Sequence, residues 1–214
     1  MKITVRQARP SDFPATEHLT REAFWNHYSP GCCEHYLLHV MRSCPAYVPE
    51  LDLVAEYEGK VIGSSLCLRS VICGDDGEAR EVLSLGPIAV EPDCQGMGIG
   101  GQLIDGTRKV AREMGFRAIL LCGDPDYYSH QGFEPAEKHG IRTAENKYAA
   151  ALHVCGLYPD ALRCVMGRYY EDEIYNVDEA EAAEYDKQFP HKEKVTGTPT
   201  QDKFLKIAAM QKDP

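Results

Sequence analysis

The sequence predicts an α/β fold, on three observations. Short runs of strand character lie at Lys2–Ala8 and in two neighbouring stretches, Leu51–Tyr57 and Lys60–Ile72. Apolar residues at helical spacing follow a glycine cluster, at Leu103, Ile104, Thr107, Val110, Ala111 and Met114. A short apolar run, Phe116–Cys122, comes next as a buried strand that would lie parallel to the strand before the glycines.

In chain order, Ser11 and Asp12 suit a helix start, and Pro14 is tolerated in a first turn. Leu19, Ala23 and Phe24 give that helix part of an apolar stripe before Ser29-Pro30-Gly31. A second helix is predicted over Cys32–Arg42, with Cys33, Leu37, Val40 and Met41 inward. Glu58-Gly59 joins the next two strands as a hairpin. Glu81–Val90 is the strand before the glycines, and Gly115 is placed to end the helix after them. Asp124–His130 forms a short helix, and Ala149–Tyr158 with Cys164–Tyr170 a last pair of strands.

No apolar run reaches the roughly 20 residues that cross a bilayer, and the start of the chain lacks the pattern of a signal peptide, so the expected location is cytoplasmic. The nine cysteines are odd in number and scattered; Cys67, Cys122 and Cys164 sit in apolar runs as expected core thiols. A net charge of -10 argues against nucleic-acid binding and is compatible with a cationic acceptor such as an amine. Between Glu171 and Asp186 stand eight acids and no base, interleaved with Ile174, Tyr175, Val177 and Tyr185. The expected division is therefore a domain over 1–170 and an acidic extension over 171–214, packed on that domain or on a partner subunit.

Gly96, Gly98 and Gly101 satisfy G-x-G-x-x-G, and Asp124 follows where a ribose-binding acid would stand. Against a dinucleotide site, five residues separate Val90 from Gly96, whereas that fingerprint needs the glycines directly after the strand. Gln95-Gly96-Met97-Gly98-Ile99-Gly100 instead resembles the Q/R-x-x-G-x-G/A motif of the GNAT superfamily of N-acetyltransferases. Leu85–Pro92 resembles that family's fourth strand, and Tyr128-Ser129-His130-Gln131-Gly132-Phe133 its Tyr-x-x-x-Gly-Phe segment. Gly123–Tyr128 is similar to the Gly-Asp-Pro-x-Tyr-Tyr segment of one bacterial branch.

The resemblance implies a mixed, mostly antiparallel central sheet with a splayed parallel strand pair, flanked by helices. It implies acetyl-coenzyme A as co-substrate, with no metal. The pyrophosphate would be held by main-chain groups of Gly96, Met97, Gly98, Ile99, Gly100 and Gly101 beside Gln95. Ile88, Ala89 and Val90 would meet the pantetheine arm and thioester, with Tyr127 as a wall residue. Tyr128 would be the general acid that protonates the departing thiolate. The base is open: Glu81 or Ser84 would take the proton or hold a water, or a water chain alone would serve. The expected reaction is acetyl transfer to a primary amine, a small molecule or a lysine or N-terminal amine, by direct attack, with a homodimer as one expected assembly. The alternative is a non-catalytic acyl-coenzyme A sensor of the same fold.

Other clusters are read more plainly. Cys32, Cys33, His35, His39 and Cys44 gather on one helix, but no second ligand pair stands at a metal-site spacing, so no metal site is expected; the family resemblance implies instead that His35, Tyr36 and His39 line or lid the acceptor pocket. Arg108, Lys109 and Arg112 are expected on the wet face of their helix, with one of them in reach of the cofactor's 3′-phosphate.

Overall fold

The computed structural model describes residues 2–214. The chain opens with β1 (Thr4–Gln7) and α1 (Phe13–Phe24). Asp12 ties the two together by accepting from the Arg6 guanidinium at 2.7 Å and from the Arg9 N–H at 2.8 Å. The next helix, α2, spans Glu34–Met41 and buries His35, Leu37, Leu38 and Met41. Its inward face is thus rotated from the expected one, with Cys33 and Val40 only half-buried. β2 (Leu53–Tyr57) and β3 (Lys60–Gly74) form the hairpin, and Glu58 and Gly59 take the left-handed φ of 49° and 78° that tight hairpin turns require.

β4 (Ala79–Val90) runs antiparallel to β3 from Cys73↔Ala79 to Gly63↔Val90. α3 (Ile99–Glu113) follows, and its end is fixed by Gly115 at φ +85°. There the Phe116 N–H reaches back to the Ala111 carbonyl and the Gly115 N–H to that of Arg112, closing the last turn. Met114 falls on this last turn and is 38% exposed, so the apolar stripe ends at Ala111. β5 (Ala118–Cys122) and α4 (Pro125–His130) come next, with Asp124 capping the Asp126 N–H. The remaining elements are β6 (Glu134–Pro135), β7 (Ile141–Arg142), β8 (Tyr148–Ala149), β9 (Leu152–Gly156), β10 (Gly167–Tyr170), α5 (Glu179–Asp186), α6 (Pro199–Ala209) and β11 (Gln211–Lys212).

The sheet order is β1-β2-β3-β4-β5-β9-β6, antiparallel except where β4 and β5 run side by side and β7 meets β10. The predicted last strand pair is not a pair. β9 pairs with β5 and β6, whereas β10 covers the Val71–Gly74 end of β3, which extends beyond the reach of β2. Alternation sorts the central strands onto two faces. Cys67, Leu83, Leu85, Ile119 and Leu121 pack with Ile104 and Ala111 of α3, while Leu66 and Leu68 pack with Leu37, Leu38 and Met41 of α2. Strands covered on both faces read as continuous apolar runs, which is why β3, β4 and β5 were legible.

All nine cysteines are free thiols, and Cys67 is the buried one. Cys122 and Cys164 are exposed rather than core residues: Cys122 ends its strand, and Cys164 lies in a turn with φ +56°. No helix among the described residues is long and apolar enough to cross a membrane.

Residues Glu171–Pro214 lie along the rest of the chain. Ile174, Tyr175 and Val177 pack on the α2 cluster, and β11 pairs with β8 through Gln211↔Ala149. Arg21 of α1, 1% exposed, donates to Asp186 of α5 at 2.6 and 3.1 Å. The three residues expected to lid a pocket serve this contact instead. His35 Nε2 lies 3.1 Å from Asp186 Oδ1, the Tyr36 hydroxyl donates to Glu181 at 2.6 Å, and the His39 ring lies 4.6 Å from that of Tyr185. His35 is buried there, whereas Tyr36 is half-buried and His39 exposed; their partners come from the acidic segment folded over α2, a long-range pairing that local spacing cannot encode.

Burial drops the His35 imidazole from 6.5 to about 4. A base that binds its proton more weakly when folded contributes full stability above its unfolded pKa and loses it as pH falls from 6.5 towards 4. The expected loss across that window is about 3 kcal/mol. His35→Asn should flatten the stability curve there by about one proton, measured by denaturant unfolding between pH 7 and pH 4.

Candidate active site

The site begins where two strands part. β4 and β5 share only Leu83↔Ile119 and Ser84↔Leu120. Beyond Ser84, β4 continues to Val90 with β3 on one side and no paired strand on the other, because its pairing with β5 stops at Ser84↔Leu120 while β5 runs on to Cys122 beside β9. Alternate residues of that free edge present main-chain N–H and C=O groups to the gap, as an edge strand must. A bulge opposite Leu85–Ile88, between Ser65 and Cys67 of β3, turns the edge.

The glycine loop closes one end of the gap. Gly96 and Gly98 take φ of +75° and +78°, left-handed values that carry the chain from Gln95 into α3. The first helical bond runs from the Gln102 N–H to the Gly98 carbonyl, so the N–H groups of Ile99, Gly100 and Gly101 project from the helix end. Gln95 braces the loop from behind by donating its side-chain amide to the Val90 carbonyl at 3.1 Å. Gly100 and Gly101 answer a different constraint. A Cβ on Gly100 would lie 2.5 Å from the Tyr127 hydroxyl, and one on Gly101 would lie 3.0 Å from Gln131 Oε1. These glycines let α4 cross close over the start of α3.

Together these elements enclose a cleft of about 550 Å³. Ile88, Ala89, Val90, Gln95, Gly96, Gly98, Ile99, Gly100, Gly101 and Tyr127 line it with Tyr128. Met97 points away and is 54% exposed. Tyr128 is seated by its neighbours, its ring 4.9 Å from that of Tyr127, 5.7 Å from Phe133 and 6.2 Å from His153. The Phe133 N–H donates to the Tyr128 carbonyl at 3.1 Å, fixing the turn after α4. Burial pushes the Tyr128 phenol well above its ordinary value of 10.0, with the charges of nearby Tyr28, Tyr127 and Asp124 acting in the same direction. At neutral pH it is a proton donor.

The two candidate bases stand apart. Ser84 is buried at the parting of the strands, its Oγ 2.9 Å from the Tyr175 hydroxyl, which donates to the Gly86 carbonyl at 3.2 Å. Glu81 is not brought to the cleft. It lies at the other end of β4, roughly 23 Å of strand from Ile88, where it is exposed and paired with Arg69 at 2.9 Å.

Phe24, His27 and Tyr28 also line the cleft, from the end of α1 and the loop after it. They escaped the sequence reading because Tyr28 lies past the helix; its one signal is the i, i+4 spacing from Phe24, whose ring is 5.7 Å away. Burial pushes the Tyr28 phenol up to about 12, helped by Glu34 and Asp124. Of the expected wet-face cations, Arg108 is engaged with the Gln131 carbonyl and the Phe133 ring, and Arg112 donates to the Leu157 carbonyl at 2.6 Å. Lys109 is exposed. Among the described residues, no group of three or more His, Cys, Asp or Glu is placed to hold a metal ion.

The model of the acetyltransferase (GNAT) family matches residues 15–134, more than half of the chain. The chain belongs to the GNAT acetyltransferase family. An N-acetyltransferase of Escherichia coli K12, YhbS, described as uncharacterized, is 31% identical over 175 residues, covering 81% of this chain and 99% of that protein. A second, YjhQ, is 41% identical over 88 residues, 41% of this chain and 48% of its own length. The crystal structure of E. coli YhbS in complex with CoA superposes with a TM-score of 0.73 at 29% identity, covering 83% of this chain and 93% of that one. A Brucella melitensis GNAT acetyltransferase in complex with acetyl-CoA gives a TM-score of 0.64 at 26% identity, covering 81% and 98%. The mixed sheet, with its parted parallel strands, is thus the GNAT fold, and structural neighbours of the chain bind CoA and acetyl-CoA.

Proposed function

We propose that this GNAT protein transfers an acetyl group from acetyl-coenzyme A to a primary amine by direct attack. The observation that carries the reading is the cleft itself. It joins the projecting N–H groups at the start of α3, the free edge at Ile88–Val90 and the protonated Tyr128 in one continuous space. The N–H groups and helix end suit the pyrophosphate, and the edge suits the amide-bearing pantetheine arm. An edge N–H near Ile88 or Ala89 would polarise the thioester carbonyl.

The amine nitrogen forms its bond to the acetyl carbon, and the carbon–sulfur bond then breaks. Tyr128 gives its proton to the departing thiolate and recovers one from solvent, while the amine loses its own proton to water. Ser84, linked through Tyr175 to Gly86, is assigned to holding β4 in place where it parts from β5. Glu81 has no step, because its distance and its pairing with Arg69 keep it out of the cleft.

Acetyl-coenzyme A at about 100 times its Kd should stabilise the protein by about 2.7 kcal/mol, a melting rise of a few degrees, and NAD should give none. An amine panel with thiol detection then separates an enzyme from a sensor. No melting shift with acetyl-coenzyme A would remove the site; a shift with no thiol released from any amine would leave the acyl-coenzyme A sensor.

A further inference from the structure

A second cavity, of about 170 Å³, lies beneath α6 and opens on the same ground as the cleft. His27, Tyr28 and Asp124 wall both spaces, and Cys122 and Gly123 at the end of β5 form its floor beside Tyr128. Its remaining lining is mainly carbon, from Ala151 and from Phe204, Ile207 and Ala208 of α6. The helix is held over it from three sides. The Phe204 and Tyr28 rings are 4.8 Å apart, and Gln201 donates to the Asn26 carbonyl at 3.1 Å. Lys203 pairs with Asp124 at 2.6 Å and Asp126 at 2.9 Å, so this cation on the wall is neutralised by the acids that begin α4.

Resting on the reaction proposed above, we infer that this cavity is the acceptor's specificity subsite and takes an apolar arm on the amine, a six-membered ring or an alkyl chain of similar bulk. The size fits: an apolar cavity of about 150 Å³ holds a benzene ring. Its placement selects acceptor over donor. The pantetheine arm follows β4, and Ile88, Ala89 and Val90 line the cleft, but no β4 residue lines the cavity. An acyl chain carried by that arm stays on the β4 side of Tyr128, whereas an amine approaching past Tyr28 brings its substituent under α6.

The test is titration of 2-phenylethylamine and of ethanolamine into the protein saturated with coenzyme A, with acetylation of both amines measured in parallel. The aromatic amine should bind at least tenfold more tightly. Ala151→Leu, which fills the cavity from a turn outside the cleft, should abolish that preference while leaving the melting shift with coenzyme A unchanged. Phe204→Ala, which widens the cavity, should move the preference towards bulkier amines. Equal binding of the two amines, or a preference untouched by Ala151→Leu, overturns the inference. So does a gain with hexanoyl-coenzyme A that Ala151→Leu removes, because the cavity would then belong to the donor. Aromatic amine bound in the cavity without acetylation keeps the subsite and removes the reaction; acetylation indifferent to Ala151 does the reverse.

Discussion

Tyr128→Phe is expected to lower kcat for amine acetylation by on the order of 100-fold or more, with the affinity for acetyl-coenzyme A within about twofold of the parent. The phenylalanine ring keeps the contacts with Tyr127, Phe133 and His153, so the turn after α4 should survive. Only the proton is lost, and the thiolate must leave as an anion or find water. Because burial holds the phenol above 10.0, the parent should show no falling limb from this group below about pH 10. Steady-state rates with isothermal titration of the cofactor make the measurement, and an unchanged kcat would end the assignment of Tyr128 as acid. Tyr28, the second buried phenol on the cleft wall, is the residue to which the role would then pass.

The largest stability effect is expected at Asp186. Arg21 is 1% exposed, and Asp186 is the acid that holds α5 to α1 through it. Burial alone would raise the Asp186 carboxyl, but the hydrogen bond and charge of Arg21 outweigh it and hold the group below its ordinary value. Asp186→Ala removes both hydrogen bonds of a buried guanidinium and leaves it only Glu22 at 3.7 Å, a loss of up to about 3–5 kcal/mol. The contribution is present above the unfolded carboxylate pKa and lost as pH falls through the lower folded one, so the loss falls below about pH 4. Arg21→Met combined with Asp186→Ala should recover a large part of the loss, because no charge is then left buried. Denaturant unfolding of the parent, Asp186→Ala and the double variant tests this, and Asp186→Ala within 1 kcal/mol of the parent would show that the extension is not held by this pair.

How much of this was legible from sequence depends on the range of the interaction. The hairpin at Glu58-Gly59 and the helix stop at Gly115 are set by a few consecutive residues whose backbone needs are local. The glycine loop is legible for the same reason, although its glycines divide into two kinds. Gly96 and Gly98 serve the backbone's own conformation, whereas Gly100 and Gly101 make room for Tyr127 and Gln131, which stand far along the chain. Arg108 and Arg112 read as surface cations by helical phase alone; each found a carbonyl on another element.

The sequence by itself determined the α/β class and the glycine loop at the start of a helix, because each follows from periodicity or glycine chemistry, and its family resemblance singled out Tyr128, which the structure places beside that loop. Only the tertiary structure decided that Glu81 is far from the cleft, that His35 and His39 clamp α5, and that α6 roofs a cavity next to Tyr128. Those facts rest on pairings between residues such as Arg21 and Asp186, or Tyr28 and Phe204. Contacts across such distances are chosen by the packing of whole elements, and no local pattern records them.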